Sequence, residues 1–161
     1  MDDLDQAAVS AREALALRPL GDGNRATSLS DLAHYLDSGR YKLRGKTNDI
    51  TEAIAFERDA LVLRPPEHPN RPASLSSLAF HLSVRYEQLG ELGDLIEAIS
   101  LKRAALILRP TDRSGSLSGL ACHLITRFSQ MGGIDDVHEA IDLSRDALAL
   151  RPPGIQVGGQ C

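Results

Sequence analysis

The chain has no tryptophan and only three tyrosines and three phenylalanines among 161 residues. A core built from aromatic rings is therefore excluded, and leucine, alanine and isoleucine must fill it. Two cysteines, Cys122 and Cys161, are too few for a disulfide framework, so a reducing, intracellular compartment is expected. No apolar run approaches the length needed to cross a bilayer, which speaks against a membrane partner. The start, Met1-Asp-Asp-Leu-Asp, has neither the basic residues nor the apolar stretch of a secretory signal. Net charge is −4, and acidic and basic residues alternate along the chain, so no electrostatic footprint for nucleic acid is present. No segment alternates with the period of a strand. The Gly-x-Ser-x-Gly nucleophile elbow is also missing, as is any phosphate-cradling glycine loop.

What the chain does have is repetition. Asp49 to Pro65 (DITEAIAFERDALVLRP) recurs as Asp94 to Pro110, as Asp136 to Pro152 and as Asp3 to Pro19. The copies register without a gap. Ala7, Ala53, Ala98 and Ala140 are equivalent, as are Ala14, Ala60, Ala105 and Ala147, and Arg12, Arg58, Arg103 and Arg145. The spacing between successive closing prolines is 46, 45 and 42 residues, the range of stacked helical repeats. Each copy reads as a helix, here called B. Asp followed three residues later by Glu (Asp49/Glu52, Asp94/Glu97, Asp136/Glu139) predicts a capping box at its start. The proline predicts its stop.

Between copies lies a second helical pattern, A, with leucine and alanine at i, i+3, i+4 and i+7: Leu29/Leu32/Ala33/Leu36, Leu75/Leu78/Ala79/Leu82 and Leu117/Leu120/Ala121/Leu124. Arg40-Tyr41, Arg85-Tyr86 and Arg127-Phe128 follow, and then Gly45, Gly90 and Gly132, placed as helix stops. The expected organisation is a repeat array over residues 1–154 with seven helices in the order B-A-B-A-B-A-B. B helices are expected at about 3–18, 49–64, 94–109 and 136–151, A helices at about 26–43, 72–89 and 114–131, and a flexible glycine-rich tail at 155–161. The repeated Arg40, Arg85 and Arg127 read as stems lying over their neighbours with heads in water, ahead of a cation ladder for an acidic partner.

The string Glu52-Ala53-Ile54-Ala55-Phe56…Ala60-Leu61-x-Leu63-x-Pro65 resembles the second helix of the tetratricopeptide repeat, and Leu78-Ala79 falls where that family has Leu-Gly. The repeat is longer than the family's usual ~34 residues. The residue four after the marker alanine, usually large, is Ala11, Glu57, Lys102 or Ser144 here. The long form, with LRPP…HP…R in the loop and RYEQLG closing helix A, resembles repeat arrays of large fungal proteins that often precede a caspase-like CHAT peptidase domain. The resemblance implies an all-α, right-handed α-α superhelical solenoid. It also implies a non-enzymatic protein–protein interaction scaffold whose partner, another protein or a peptide, lies on the concave face of the A helices. On that face the expected contact residues are Thr27, Ser30, His34 and Asp37, then Ala73, Ser76, Phe80 and Ser83, then Gly115, Ser118, Cys122 and Ile125.

No cofactor and no metal site is expected. His81 and His123 share one repeat position, but equivalent atoms of neighbouring repeats stand on the order of 10 Å apart, too far for one zinc ion. Cys122 and His123 are adjacent on a helix and diverge by about 100°, so they do not form a nucleophile–base pair. Two further readings stand beside the scaffold. One is head-to-tail self-assembly into a homo-oligomer or filament through the array ends, at Ala7, Ala8, Ala14 and Leu15 in front and Leu143 and Leu148 behind. The other is a regulatory repeat fragment of a larger CHAT-type protein.

Overall fold

A computed structural model of the chain describes residues 3–37, 47–108 and 113–150. Among these residues there are seven helices and no strand: α1 (Asp3–Ala16), α2 (Arg25–Tyr35), α3 (Thr47–Val62), α4 (Arg71–Leu89), α5 (Leu92–Leu108), α6 (Arg113–Met131) and α7 (Ile134–Ala149). The odd-numbered helices are the Asp-to-Pro copies and the even-numbered ones carry the leucine stripes. Arg40, Tyr41, Gly45, Pro110, Pro152 and the 155–161 tail lie outside the described residues.

The leucine stripes behave as helical periodicity requires. All twelve Leu and Ala positions of the three A-helix patterns are buried. They organise three successive core clusters rather than one. Leu29, Leu32, Ala33 and Leu36 pack with Leu15, Ala53 and Ala60. Leu78, Ala79 and Leu82 pack with Ile54 and Ala98. Leu120, Ala121 and Leu124 pack with Leu95, Ile99 and Ala140. The helices that pack extensively are all consecutive in the chain. Each fully buried leucine removes enough apolar surface from water to stabilise its rung by about 1.5–3 kcal/mol before entropy. The paired alanines (Ala53 and Ala60, Ala98 and Ala105, Ala140 and Ala147) are all buried, as close helix approach demands.

The helix ends differ from the sequence reading in one instructive way. Helices α3, α5 and α7 begin two residues before Asp49, Asp94 and Asp136, so the aspartates sit inside the first turn instead of capping it. The capping-box expectation fails because the Asp and Glu side chains have stronger partners elsewhere. Asp94 accepts two hydrogen bonds from Arg85, Nε and Nη2 each at 2.7 Å, and Asp136 accepts two from Arg127 at 2.8 and 2.5 Å. The glutamates reach the preceding copy: Arg12 pairs with Glu52 (2.5 Å), Arg58 with Glu97 (2.8 Å) and Arg103 with Glu139 (2.5 Å). Arg85 and Arg127 are thus neither free stems nor a cation ladder, because their guanidinium groups are spent on the fold. Charge-assisted, forked pairing outcompetes a single cap contact.

The turns are also built to rule. Gly90 (φ 71°) and Gly132 (φ 77°) occupy the left-handed region, and their amides close back on Tyr86 and Phe128 at 2.7 Å, so the A helix stops and B starts within two or three residues. The longer B-to-A loops repeat one design. Arg25 donates to the carbonyls of Leu15 (3.0 Å) and Arg18, and Arg71 donates to those of Leu61 (3.1 Å) and Arg64. A guanidinium from the incoming A helix thereby covers the orphan carbonyls at the end of the outgoing B helix, where the helix dipole also favours a cation.

Candidate functional site

Between α2 and α4 the successive A helices leave an open cavity of about 550 Å3, with Glu57 of α3 at its back. Its lining includes Ser30, Asp31, His34 and Asp37 from α2 and the residues just beyond it, and Ser76, Ser77, Phe80 and His81 from α4. Five residues expected on a concave face (Ser30, His34, Asp37, Ser76 and Phe80) therefore share one cavity. Helical periodicity turns His34 and Phe80 away from the buried leucines and sets Ser30 and Ser76 beside them, whereas Asp37, expected to be exposed, is buried just beyond the end of α2.

The other expected contact residues are distributed differently. Thr27 and Ala73 are exposed but do not line this cavity. Ser83 is buried. Its hydroxyl donates to the Ala79 carbonyl at 2.7 Å and lies 2.9 Å from His123 Nε2, so it ties α4 to α6 and is not offered to a partner. Ser118 is half-buried, while Gly115 and Ile125 are exposed. Cys122 is half-buried, and Cys161 lies outside the described residues. Of the end residues, Ala8 and Leu15 are buried and Leu143 is packed against the α5–α6 core, because all three face helices already present. Only Ala14 and Leu148 are fully open, with Ala7 half-covered.

The position four residues after the marker alanine supplies what the sequence reading did not place in the site. Glu57 is 2% exposed. Ser30 donates to it at 3.2 Å, while Arg64 donates to Ser30 Oγ at 2.9 Å and to Ser74 Oγ. Burial pushes the Glu57 carboxyl above its ordinary range, and the two serine hydroxyls and Arg64 hold it back. One rung on, Lys102 occupies the same place. Burial lowers its ammonium below the usual lysine value. Gly119 makes room for it: a Cβ there would stand 3.1 Å from Lys102 Nζ. The signal was legible as a polar residue where the pattern wants bulk, but the partners of Glu57 (Arg64, Ser74 and Ser30) lie outside its own helical turn or on other helices.

The two equivalent histidines are neutral for the same reason. Burial lowers His81, with Asp37 opposing, and burial together with the Lys102 charge brings His123 down to about 4. The Ser83 proton is committed to the Ala79 carbonyl, so neutral His123 donates from Nε2 to the Ser83 oxygen. Among the described residues no three His, Cys, Asp or Glu side chains converge on a point where a metal could sit, and no helix is long and apolar enough to cross a membrane. No protein-family model and no curated protein matches the chain.

Proposed function

We propose that the chain is a non-enzymatic interaction scaffold, a right-handed solenoid of tetratricopeptide-like helix pairs that receives a segment of a partner protein between successive A helices. The observation that carries this reading is the open cavity between α2 and α4, in which side chains of two successive rungs face one another across a polar floor. The three serial core clusters and the restriction of extensive packing to chain neighbours support an elongated stack. The lining offers the hydroxyls of Ser30, Ser76 and Ser77, the carboxylates of Asp31, Asp37 and Glu57, the imidazoles of His34 and His81, and the half-exposed ring of Phe80. That is an assortment for binding a chain segment.

The test is affinity capture of a partner on the purified chain, followed by mapping with Phe80→Ala, His34→Ala and Ile125→Ser. Loss of at least several-fold affinity in the first two, with melting temperatures unchanged, is the expected result. A partner held equally well by all three variants would overturn it.

One observation favours self-assembly as a second reading: α7 leaves Ile141 and Leu148 exposed, at 43% and 60%, where Ile54 and Ile99, equivalent to Ile141, are buried and Leu61 and Leu106, equivalent to Leu148, are half-buried. Stacking α7 of one copy on α1 of the next, however, sets a B helix against a B helix, whereas the interior alternates A and B. Light scattering that rises with protein concentration would favour assembly, and a constant monomer mass would remove it.

A further inference from the structure

We propose that α7 of one chain docks on α2 and α3 of a second copy, in the place that the second copy's own α1 occupies. This rests on the self-assembly reading and deepens it by naming the surface of the neighbouring copy that α7 takes.

The interior rungs show what covers this side of a B helix. Ile54 of α3 packs with Leu78, Ala79 and Leu82 of α4, and Ile99 of α5 packs with Leu120, Ala121 and Leu124 of α6. Ile141 of α7 stands at the same repeat position and is exposed, as is Leu148 one repeat of the helix further on. The surface that fits α7 is therefore an A-helix stripe of leucine and alanine. An ionic feature points independently to the same occupant. Arg12, Arg58 and Arg103 each pair with a glutamate of the following B helix: Glu52, Glu97 and Glu139. Arg145 is their equivalent, yet among the described residues it meets only Asp142 of its own helix, at 3.4 Å, with both side chains 76% exposed. The occupant thus carries a leucine stripe and, on the next helix, a glutamate.

The second copy offers both in register. The α2 stripe Leu29/Leu32/Ala33/Leu36 has the composition of the α4 and α6 stripes, and Glu52 follows it on α3. Those two stripes are closed by Ile54 and Ile99, whereas α1 brings only Ala8 to that position. Ala8 and Leu15 are the buried residues of α1 among those described. Helix α7 carries Ile141 where α1 has Ala8, Leu148 where α1 has Leu15, and Arg145 where α1 has Arg12 for Glu52. Arg25, which donates to the Leu15 carbonyl, would meet the Leu148 carbonyl in its place. The alternation of A and B, which stacking α7 on α1 breaks, is kept.

Magnitudes set the concentration range. Helix α1 is tethered and competes at an effective concentration on the order of 1 mM. Isoleucine in place of alanine buries three more carbons, worth on the order of 50-fold in affinity. Exchange then sets in at roughly 20 µM. The contact is heterologous, so copies add head to tail and growth does not stop at two.

Masses of the full chain and its variants are measured by sedimentation equilibrium from about 1 to 500 µM, a range that brackets this value. The expected result is an average mass that rises with concentration, and a constant monomer mass for Ile141→Lys. Ala8→Ile gives α1 the residue that α7 brings, and raises the onset at least about tenfold. Because Ala8 is 1% exposed, a helix stacked on the outer side of α1 would not sense that change. A charge exchange tests the same contact without altering the core: Arg145→Glu and Glu52→Arg each associate less alone, and the two mixed in equal amounts regain association. A wild-type mass that stays monomeric would overturn both this docking and self-assembly. A rising mass that ignores Ile141→Lys, or that is not regained in the mixture, would overturn the docking on α2 and α3 and leave self-assembly standing.

Discussion

Glu57 and Lys102 stand at the same repeat position, four residues after a marker alanine, yet Glu57 is buried, Lys102 is half-buried, and their surroundings differ. Glu57 is met by Ser30, by Ser74 and by Arg64 beyond them. Lys102 has no carboxylate partner among the described residues, only a glycine notch and a neutral His123. The repeat thus decides where a side chain is placed, and each rung then solves or leaves unsolved the cost of the charge put there. A compensated buried charge is expensive to disturb, whereas an uncompensated one is a standing cost that its removal relieves.

The largest effect should come from reversing the compensated rung. Glu57→Lys leaves two buried cations together and should cost about 3–5 kcal/mol, read as a lower urea midpoint with an unchanged slope. A loss under about 1 kcal/mol would mean that the carboxylate is not tied into the rung.

Burial should likewise separate the two families of arginine ties. The Arg127–Asp136 and Arg85–Asp94 pairs are forked and largely covered (17% and 7% exposed for the latter), whereas Arg58–Glu97 is open (49% and 40%). Arg127→Ala should lose about 1.5–3 kcal/mol and Arg58→Ala less than about 1 kcal/mol. Equal losses would show that burial does not set their strength.

The pH response should carry opposite signs in the two rungs. His123 binds its proton at about 4 when folded, against an ordinary 6.5, so between those values the unfolded chain holds more protons and stability falls as pH drops. Glu57 has its folded value raised, so the folded chain takes up a proton first and its rung gains stability as pH falls through that value. Melting temperature against pH should therefore flatten between 6.5 and 4 in His123→Gln and steepen in Glu57→Gln. The opposite pairing of slopes would break the comparison.

The smallest change is expected at the uncompensated rung. Lys102→Leu removes a cation that no partner offsets and should leave stability unchanged or raise it by up to about 1 kcal/mol. A clear loss would show that Lys102 has a stabilising role that its surroundings do not reveal.

Much of the fold was legible because it is local. Period, helix type, the buried leucine stripes and the glycine stops at Gly90 and Gly132 all follow from residues within one turn of each other. The ionic ties were not legible. Asp49, Asp94 and Asp136 with a glutamate three residues on look like helix starts, but where the partners are described these side chains reach arginines 9 or about 40 residues away. Half of the cavity could be read for the same reason that the stripes could: Ser30, His34, Ser76 and Phe80 fall off the leucine stripe by helical geometry alone. Glu57 and His81, which give the cavity its character, are polar residues whose burial depends on the neighbouring rung.

The sequence by itself determined that this chain would be helical, that its helices would alternate in two kinds, and which face of each would leave water. Those outcomes depend on periodicity, a property of a segment. Only the tertiary structure decided which charges pair, which remain without a counter-charge and how the cavity between rungs is lined. Those outcomes depend on distances between side chains far apart along the chain and on how completely packing strips water from them, and no single segment carries that information.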